Sequence, residues 1–491
     1  MGVIQRQGLK STLLNYVGIL IGALSIIFIY PQALEIYGLI SFLTESGIII
    51  SGFASLATSV VLVKFFPYFK DDSKGHNGFV GSLWLVMLGG LALFSAGFWI
   101  LQDTVLWLYK DKSQLDKDAI GYIPIFVLLI SNLNFLQTYC TVFQRIVIVT
   151  LIDLLSKISR PILVWLWVMG WIDVDILLYV LLLCNVVFLG ILLFYLQRLG
   201  QLHINFAQNL RQHPQYGAML QYGLMGILMA MASFASIYLD RFTVPTLLNL
   251  EYNGVYSMVQ FIANFITTPF IALNGIAIPI IANHYSRQET PQIADLYKKS
   301  STVSLLAGVY LTLGIWLVIN DLFLFIGKYE VIKVGLGAIF WLSICKLIDC
   351  IASISRSILE LSNHYWMMLW IMIASIFVNL GLSFWLIPQY QLTGVALAMF
   401  GTYLMYGFGR MIAVFILFKM HPFTIGQAKI MISGLLVFAL IWSLPLQMSP
   451  IINICIKGGL LTILYVPIVY FWRVSDDFNN LIDKVIRRIK A

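Results

Sequence analysis

FIYPQALEIYGLISFL (28–43) is echoed later in the chain by SIYLDRFTVPTLLNLEYNGVYSMV (236–259). Each stretch starts with Ile-Tyr at the end of an apolar run and passes through a connection containing proline. Each then reopens on Tyr-Gly or Asn-Gly. A second pair, DTVLWLYK (103–110) and DLFLFIGK (321–328), stands in the same relation. Offsets of roughly 208 to 218 residues divide the chain into two copies, 1–213 and 214–421, with 422–491 appended. The second copy carries about eight extra residues between Ile-Tyr and Asn-Gly, and Asp240 and Arg241 lie inside that insertion.

Composition says what the copies are made of. Of 491 residues, 60% are hydrophobic and only 11% charged, and the mean hydropathy is +0.90. Soluble domains carry about 25% charged residues. Apolar runs of about 20 residues recur from 12–30 to 451–472, about 14 in all. The expected fold is an all-α polytopic membrane protein: two pseudo-symmetric six-helix lobes, then two C-terminal helices. Internal symmetry of this kind marks many transporters, with the substrate site at the repeat interface.

The net charge of +8 does not point to nucleic acid, because most Lys and Arg fall in alternate connections. The cations on the other side are Lys110, Lys112, Lys117, Arg241, Lys328 and Lys333. By the positive-inside rule this puts both termini in the cytoplasm. MGVIQRQGLK has no A-x-A cleavage site and reads as leading into an uncleaved first helix. Arg6 spoils the myristoylation pattern of the Met-Gly start. The tail DDFNNLIDKVIRRIKA reads as an amphipathic helix on the anionic inner surface.

Polar residues inside the apolar runs align when placed at about 100° per residue. Asn134, Gln137, Thr138, Thr141 and Arg145 make one stripe. Lys346, Asp349, Ser353, Arg356 and Glu360 make another, at the matching place in the second copy. Asp153, Lys157 and Arg160 share a face ahead of Pro161. Ser41, Glu45, Gly52, Ser55 and Ser59 line up, as do Ser233, Ser236 and Asp240. A helix facing only lipid has no reason to sort residues this way, so the stripes point to a shared wet cavity. Asp153 with Lys157 and Lys346 with Asp349 also have the spacing of neutral pairs. Arg160 and Arg356 are the foremost cavity cations, with Arg410 third.

Enzymatic chemistry finds little support. The 6 histidines lie at helix ends or in loops, without metal-site spacing. There is no Walker A sequence and no nucleophile motif. The 5 cysteines sit inside predicted helices and make no CxxC. No cofactor is expected.

EIYGLISFLTESGIIISGFASLATSVVLVKFFPYF (35–69), SIYLDRFTV (236–244) and NLGLSFWLIPQYQLTGVALA (379–398) together resemble the bacterial polysaccharide flippases. These are the lipid-linked oligosaccharide transporters of the multidrug/oligosaccharidyl-lipid/polysaccharide superfamily. The resemblance runs along most of the first 420 or so residues, and it departs at Gln391, where the family has glycine after the tyrosine. It implies two lobes around a central cavity that opens to each side in turn, in the bacterial inner membrane. It also implies a substrate of undecaprenyl diphosphate carrying an O-antigen, capsule or exopolysaccharide unit.

Carried onto this sequence, that substrate assigns the diphosphate to Arg160, Arg356, Arg241, Lys157, Lys346 and Arg410, arginine being suited to bidentate phosphate contacts. Asn134, Gln137, Thr138 and Thr141 offer hydrogen bonds to sugar. H⁺ or Na⁺ coupling would run through a carboxylate: Glu45, Asp153, Asp349 or Asp240. Glu45 leads, having no basic residue within a turn on its own span. The expected partners are the lipid-linked substrate, membrane lipids and polysaccharide-assembly proteins, with the chain a monomer. Two rivals stand beside this reading. A multidrug cation antiporter of the same superfamily would need an acidic or aromatic cavity, and a membrane polysaccharide polymerase would need a large external loop.

Overall fold

The structure, a computed structural model, describes residues 3–108, 114–202, 214–362, 364–444 and 448–490. Lys110, Lys112, His203 and His213 lie outside the described residues, as do the side chains of Lys117, Ser233 and Ser236. The described elements are helical throughout. That is the economical arrangement for an apolar chain, because a helix satisfies its backbone polar groups internally.

The chain divides into two compact units, Met1–Gly254 and Val255–Ala491. The first contains α1 (Val3–Phe28), α2 (Leu34–Ala54), α3 (Thr58–Phe69), α4 (Phe79–Leu108) and α5 (Gln114–Val142). It continues with α6 (Ile146–Val168), α7 (Val174–Arg198), α8 (Tyr216–Leu247) and the start of α9 (Leu250–Asn264). In this unit α2 packs against both α5 and α8, α1 against α6, and α3 against α4, α5 and α8.

The second unit holds the rest of α9, then α10 (Thr268–Ser286), α11 (Thr290–Ile326), α12 (Tyr329–Ile332), α13 (Leu336–Ala352) and α14 (Ser355–Leu361). After these come α15 (Tyr365–Tyr403), α16 (Gly409–Phe418), α17 (Ile425–Trp442), α18 (Pro450–Phe471) and α19 (Asp476–Lys490). Here α11 is the spine, packing against α10, α13, α17 and α18. Phe478 of α19 packs onto the core that α11 shares with α17 and α18. The Asp483 carboxylate accepts from the Tyr470 hydroxyl at 2.6 Å. The tail helix is thus tied to α18 as well as being amphipathic.

Ten helices among the described residues are long and apolar enough to cross a membrane. One such run, Tyr365–Phe418, is 54 residues long and is broken at Gln391, where φ is 49° and ψ −127°. Ser353, between α13 and α14, has nearly the same conformation, φ 39° and ψ −124°. In the first unit, Leu56 and Ala57 (both φ 51°) part α2 from α3. Glycine accepts such angles, whereas a side chain there is strained by about 1–3 kcal/mol. Gln391 stands where the resembling family has glycine. Gln391→Gly is therefore expected to stabilise the protein by about 1 kcal/mol, read as a higher thermal midpoint in detergent. A lower midpoint would mean that the Gln391 side chain contributes more than the strain costs.

The glycines of the sequence repeat have a steric role. A Cβ on Gly38 would lie 1.8 Å from the Leu250 carbonyl oxygen, and one on Gly254 would lie 2.0 Å from that of Leu34. Here α2 and α9 touch backbone to backbone, and the Asn253 side chain donates to the Gly38 carbonyl at 2.8 Å. Small residues permit this close approach between membrane helices.

Candidate functional site

In the first unit, Arg241 of α8 donates from Nη1 to Glu45 Oε1 of α2 at 2.6 Å, and both side chains are only 14% exposed. Glu45 is thus paired with a cation on another helix, a contact that its own span could not reveal. The same contact explains how Arg241 persists in an apolar helix. Asp240, beside it, is buried, and its backbone carbonyl accepts from the Thr243 hydroxyl at 3.1 Å. Glu45→Gln and Arg241→Gln are each expected to lower the thermal midpoint, since removing one partner leaves a charge stranded. The double substitution should recover most of that loss, giving a coupling of about 2 kcal/mol in a double-mutant cycle. Additive losses would show that the pair contributes nothing jointly.

On α6 the pairing also differs from its spacing. Asp153 is exposed, and its Oδ1 accepts from Gln137 of α5 at 3.1 Å. Among the described residues, no carboxylate lies within 4 Å of Lys157 or Arg160, so the expected Asp153–Lys157 pair is not formed. The Lys157 stem runs along α1, where a Cβ on Gly18 would meet its Cδ at 3.1 Å. Tyr30 and Tyr37 stack with centroids 3.8 Å apart and planes at 10°. Arg160 lies within electrostatic reach of both hydroxyls.

The α5 stripe is half-buried at Asn134, Gln137 and Thr138 and exposed at Thr141. The Thr138 hydroxyl donates to the Asn134 carbonyl at 2.7 Å and that of Thr141 to the Gln137 carbonyl at 2.9 Å. Both hydroxyls keep acceptor lone pairs, but their protons are used within the helix.

In the second unit, Asp349 Oδ1 accepts from Arg410 Nη2 at 2.7 Å. Lys346, the lysine expected beside Asp349, instead points its Nζ to the Tyr403 hydroxyl at 3.4 Å. Arg356 pairs with Glu360 at 2.7 Å, so it is not an open cation. Arg410 is buried and lies 4.2 Å from the centroid of the Tyr406 ring. It follows a π-turn at Leu404–Phe408, a wider turn that re-aims what comes after it. A further pair escaped the sequence reading: Lys457 of α18 meets Asp321 of α11 at 2.6 Å. Asn453 donates to the same carboxylate at 3.0 Å. Its only sequence signal was an intramembrane lysine.

Solved structures supply the comparison. The chain overlays on lipid II flippase MurJ in an inward closed conformation with a TM-score of 0.69, covering 94% of this chain and 98% of that one at 10% identity. The fold is that of a MurJ-type transporter. A mutant of the MATE transporter VcmN from Vibrio cholerae shares it at TM-score 0.51 and 13% identity, with 84% of this chain and 98% of that one covered. So does a MATE in complex with MaL6, at TM-score 0.50 and 16% identity, covering 87% and 96%. No protein-family profile and no curated protein matches the sequence. The shared fold is that of an all-helical, multi-pass membrane protein. At such identities the likeness concerns the fold, so the substrate has to be argued from this chain's own residues.

Proposed function

We propose that this protein flips an undecaprenyl-diphosphate-linked oligosaccharide across the bacterial inner membrane by alternating access. Splitting the long run at Gln391 and adding α6, α8 and the consecutive α9 and α10, taken as one crossing, to the other nine candidate spans would give about 14, with both termini cytoplasmic. The observation that supports this reading is the charge on α6. Arg160 and Lys157 stand in an apolar helix with no carboxylate within 4 Å among the described residues. Asp153 acts on both cations electrostatically without touching either, and cations held so loosely at that depth are costly unless they face water or a further anion. A diphosphate supplies the anion, and Asn134 and Gln137 supply donors and acceptors for sugar. In contrast, the carboxylates Glu45, Asp349, Glu360 and Asp321 are each matched by a cation. A cation-drug antiporter would need the reverse balance. With Glu45 and Asp349 paired, H⁺ or Na⁺ coupling falls to Asp153.

The test is a strain lacking the protein. Undecaprenyl-diphosphate oligosaccharide is expected to accumulate on the cytoplasmic leaflet while the surface glycan is lost. An unchanged lipid-linked pool together with increased sensitivity to cationic drugs would favour the antiporter.

A further inference from the structure

Lys64 of α3 is an exposed cation in an otherwise apolar helix. Its ammonium sits 3.5 Å from the centroid of the Tyr222 ring on α8 and 5.6 Å from that of Phe65. Tyr222 and Phe65 themselves meet edge to face at 5.8 Å. A glycine seam brings the two helices this close. A Cβ on Gly226 would lie 3.2 Å from Ala57 Cβ, and one on Gly223 would lie 3.5 Å from Val61 Cγ2. Ala57, just ahead of α3, and then Val61 and Lys64 within it thus rest on α8 in succession. Among the described residues no carboxylate lies within 4 Å of the ammonium.

An aromatic face holds a cation without neutralising it, at about 0.5–1 kcal/mol where exposed. That is enough to orient the ammonium and too little to outcompete a phosphate oxygen. Under the proposed topology the Phe69 end of α3 and the Ile146 end of α6 both face the cytoplasm. Along its own helix Lys64 is about 8 Å from that side and Arg160 about 21 Å, with Lys157 between. The first unit therefore carries a rising series of cations with no carboxylate in direct contact among the described residues.

We propose that Lys64, held by Tyr222, is the first contact for the substrate diphosphate on its way from the cytoplasmic leaflet to Arg160. This rests on the flippase reading, and it adds a specific residue and an order of contact. An anionic phospholipid headgroup offers related chemistry, so the experiment separates the two sources. The full-length protein is reconstituted in phosphatidylcholine vesicles, with or without phosphatidylglycerol. Labelling by a photoreactive polyprenyl diphosphate bearing one N-acetylhexosamine is measured against concentration.

Lys64→Gln is expected to raise the half-saturating concentration roughly tenfold, the worth of one charge-assisted contact. Lys64→Arg should restore it, Tyr222→Leu should raise it less, and added phosphatidylglycerol should leave it unchanged. The thermal midpoint, followed in parallel, should stay constant because the side chain is exposed. Lys64→Gln labelling like wild type while Arg160→Gln loses labelling would overturn the role of Lys64 and leave the flippase reading standing. Phosphatidylglycerol abolishing the difference between wild type and Lys64→Gln would overturn it in favour of a headgroup site. Absence of saturable labelling in the wild type would overturn it together with the flippase reading.

Discussion

Gly38→Ala is expected to leave little folded protein. The added methyl would lie 1.8 Å from the Leu250 carbonyl oxygen, about half a normal contact distance. Its obstacle is backbone, which cannot rotate aside. Either α2 and α9 separate, which also breaks the Asn253 hydrogen bond to the Gly38 carbonyl, or the methyl is not accommodated. Overpacking a well-fitted interior costs about 1–3 kcal/mol even where side chains can yield. A clash against main chain should exceed that range. Gly254→Ala, at the matching place in the repeat, should do the same. Gly97→Ala and Gly190→Ala are the controls, because nothing lies within 4 Å of a Cβ at either. The measurement is the yield and thermal midpoint of monodisperse detergent-extracted protein. Normal yield from Gly38→Ala would mean that the α2–α9 contact is not this close.

Arg160→Gln is expected to abolish glycan export while membrane abundance stays near wild type. The side chain is half-buried and has no carboxylate within 4 Å among the described residues, so its removal breaks no direct ion pair. What is lost is a bidentate contact to phosphate, and two charge-assisted bonds together correspond to a fall of roughly 100-fold or more. Arg160→Lys should restore only part, because lysine is a point charge without the guanidinium fork. Arg356→Gln should behave differently. It frees Glu360 from its 2.7 Å pair, so abundance should fall along with transport. Export at the wild-type rate by Arg160→Gln would remove α6 from the substrate path.

Much of this was legible in the chain. The Tyr-Gly and Asn-Gly of the repeat are the glycines at which backbones meet. The polar stripes were visible because helical periodicity sorts residues on one helix. The partners were not visible. Glu45 finds Arg241 at a separation of 196 residues, Asp349 finds Arg410 at 61, and Asp321 finds Lys457 at 136. Periodicity reports which face a side chain occupies but not what stands opposite, so near spacings suggested Asp153–Lys157 and Lys346–Asp349 where distant residues took the contacts. The breaks at Leu56–Ala57 and Ser353 were equally hidden. Their left-handed angles fall on residues that ordinarily continue a helix, and tertiary packing holds them there. Gln391 was the exception, visible only as a departure from a family pattern.

The π-turn at Leu404–Phe408 gives the chain one residue more than an uninterrupted α-helix would need to reach the same height. Everything downstream, Arg410 included, is rotated by about 100° as a result. An uninterrupted helix lacking that residue would turn the same arginine away from Asp349. The Arg410–Asp349 pair therefore depends on that extra residue. Homologous sequences aligned across this turn should show a one-residue length variation, and those lacking the extra residue should place their buried cation one position away.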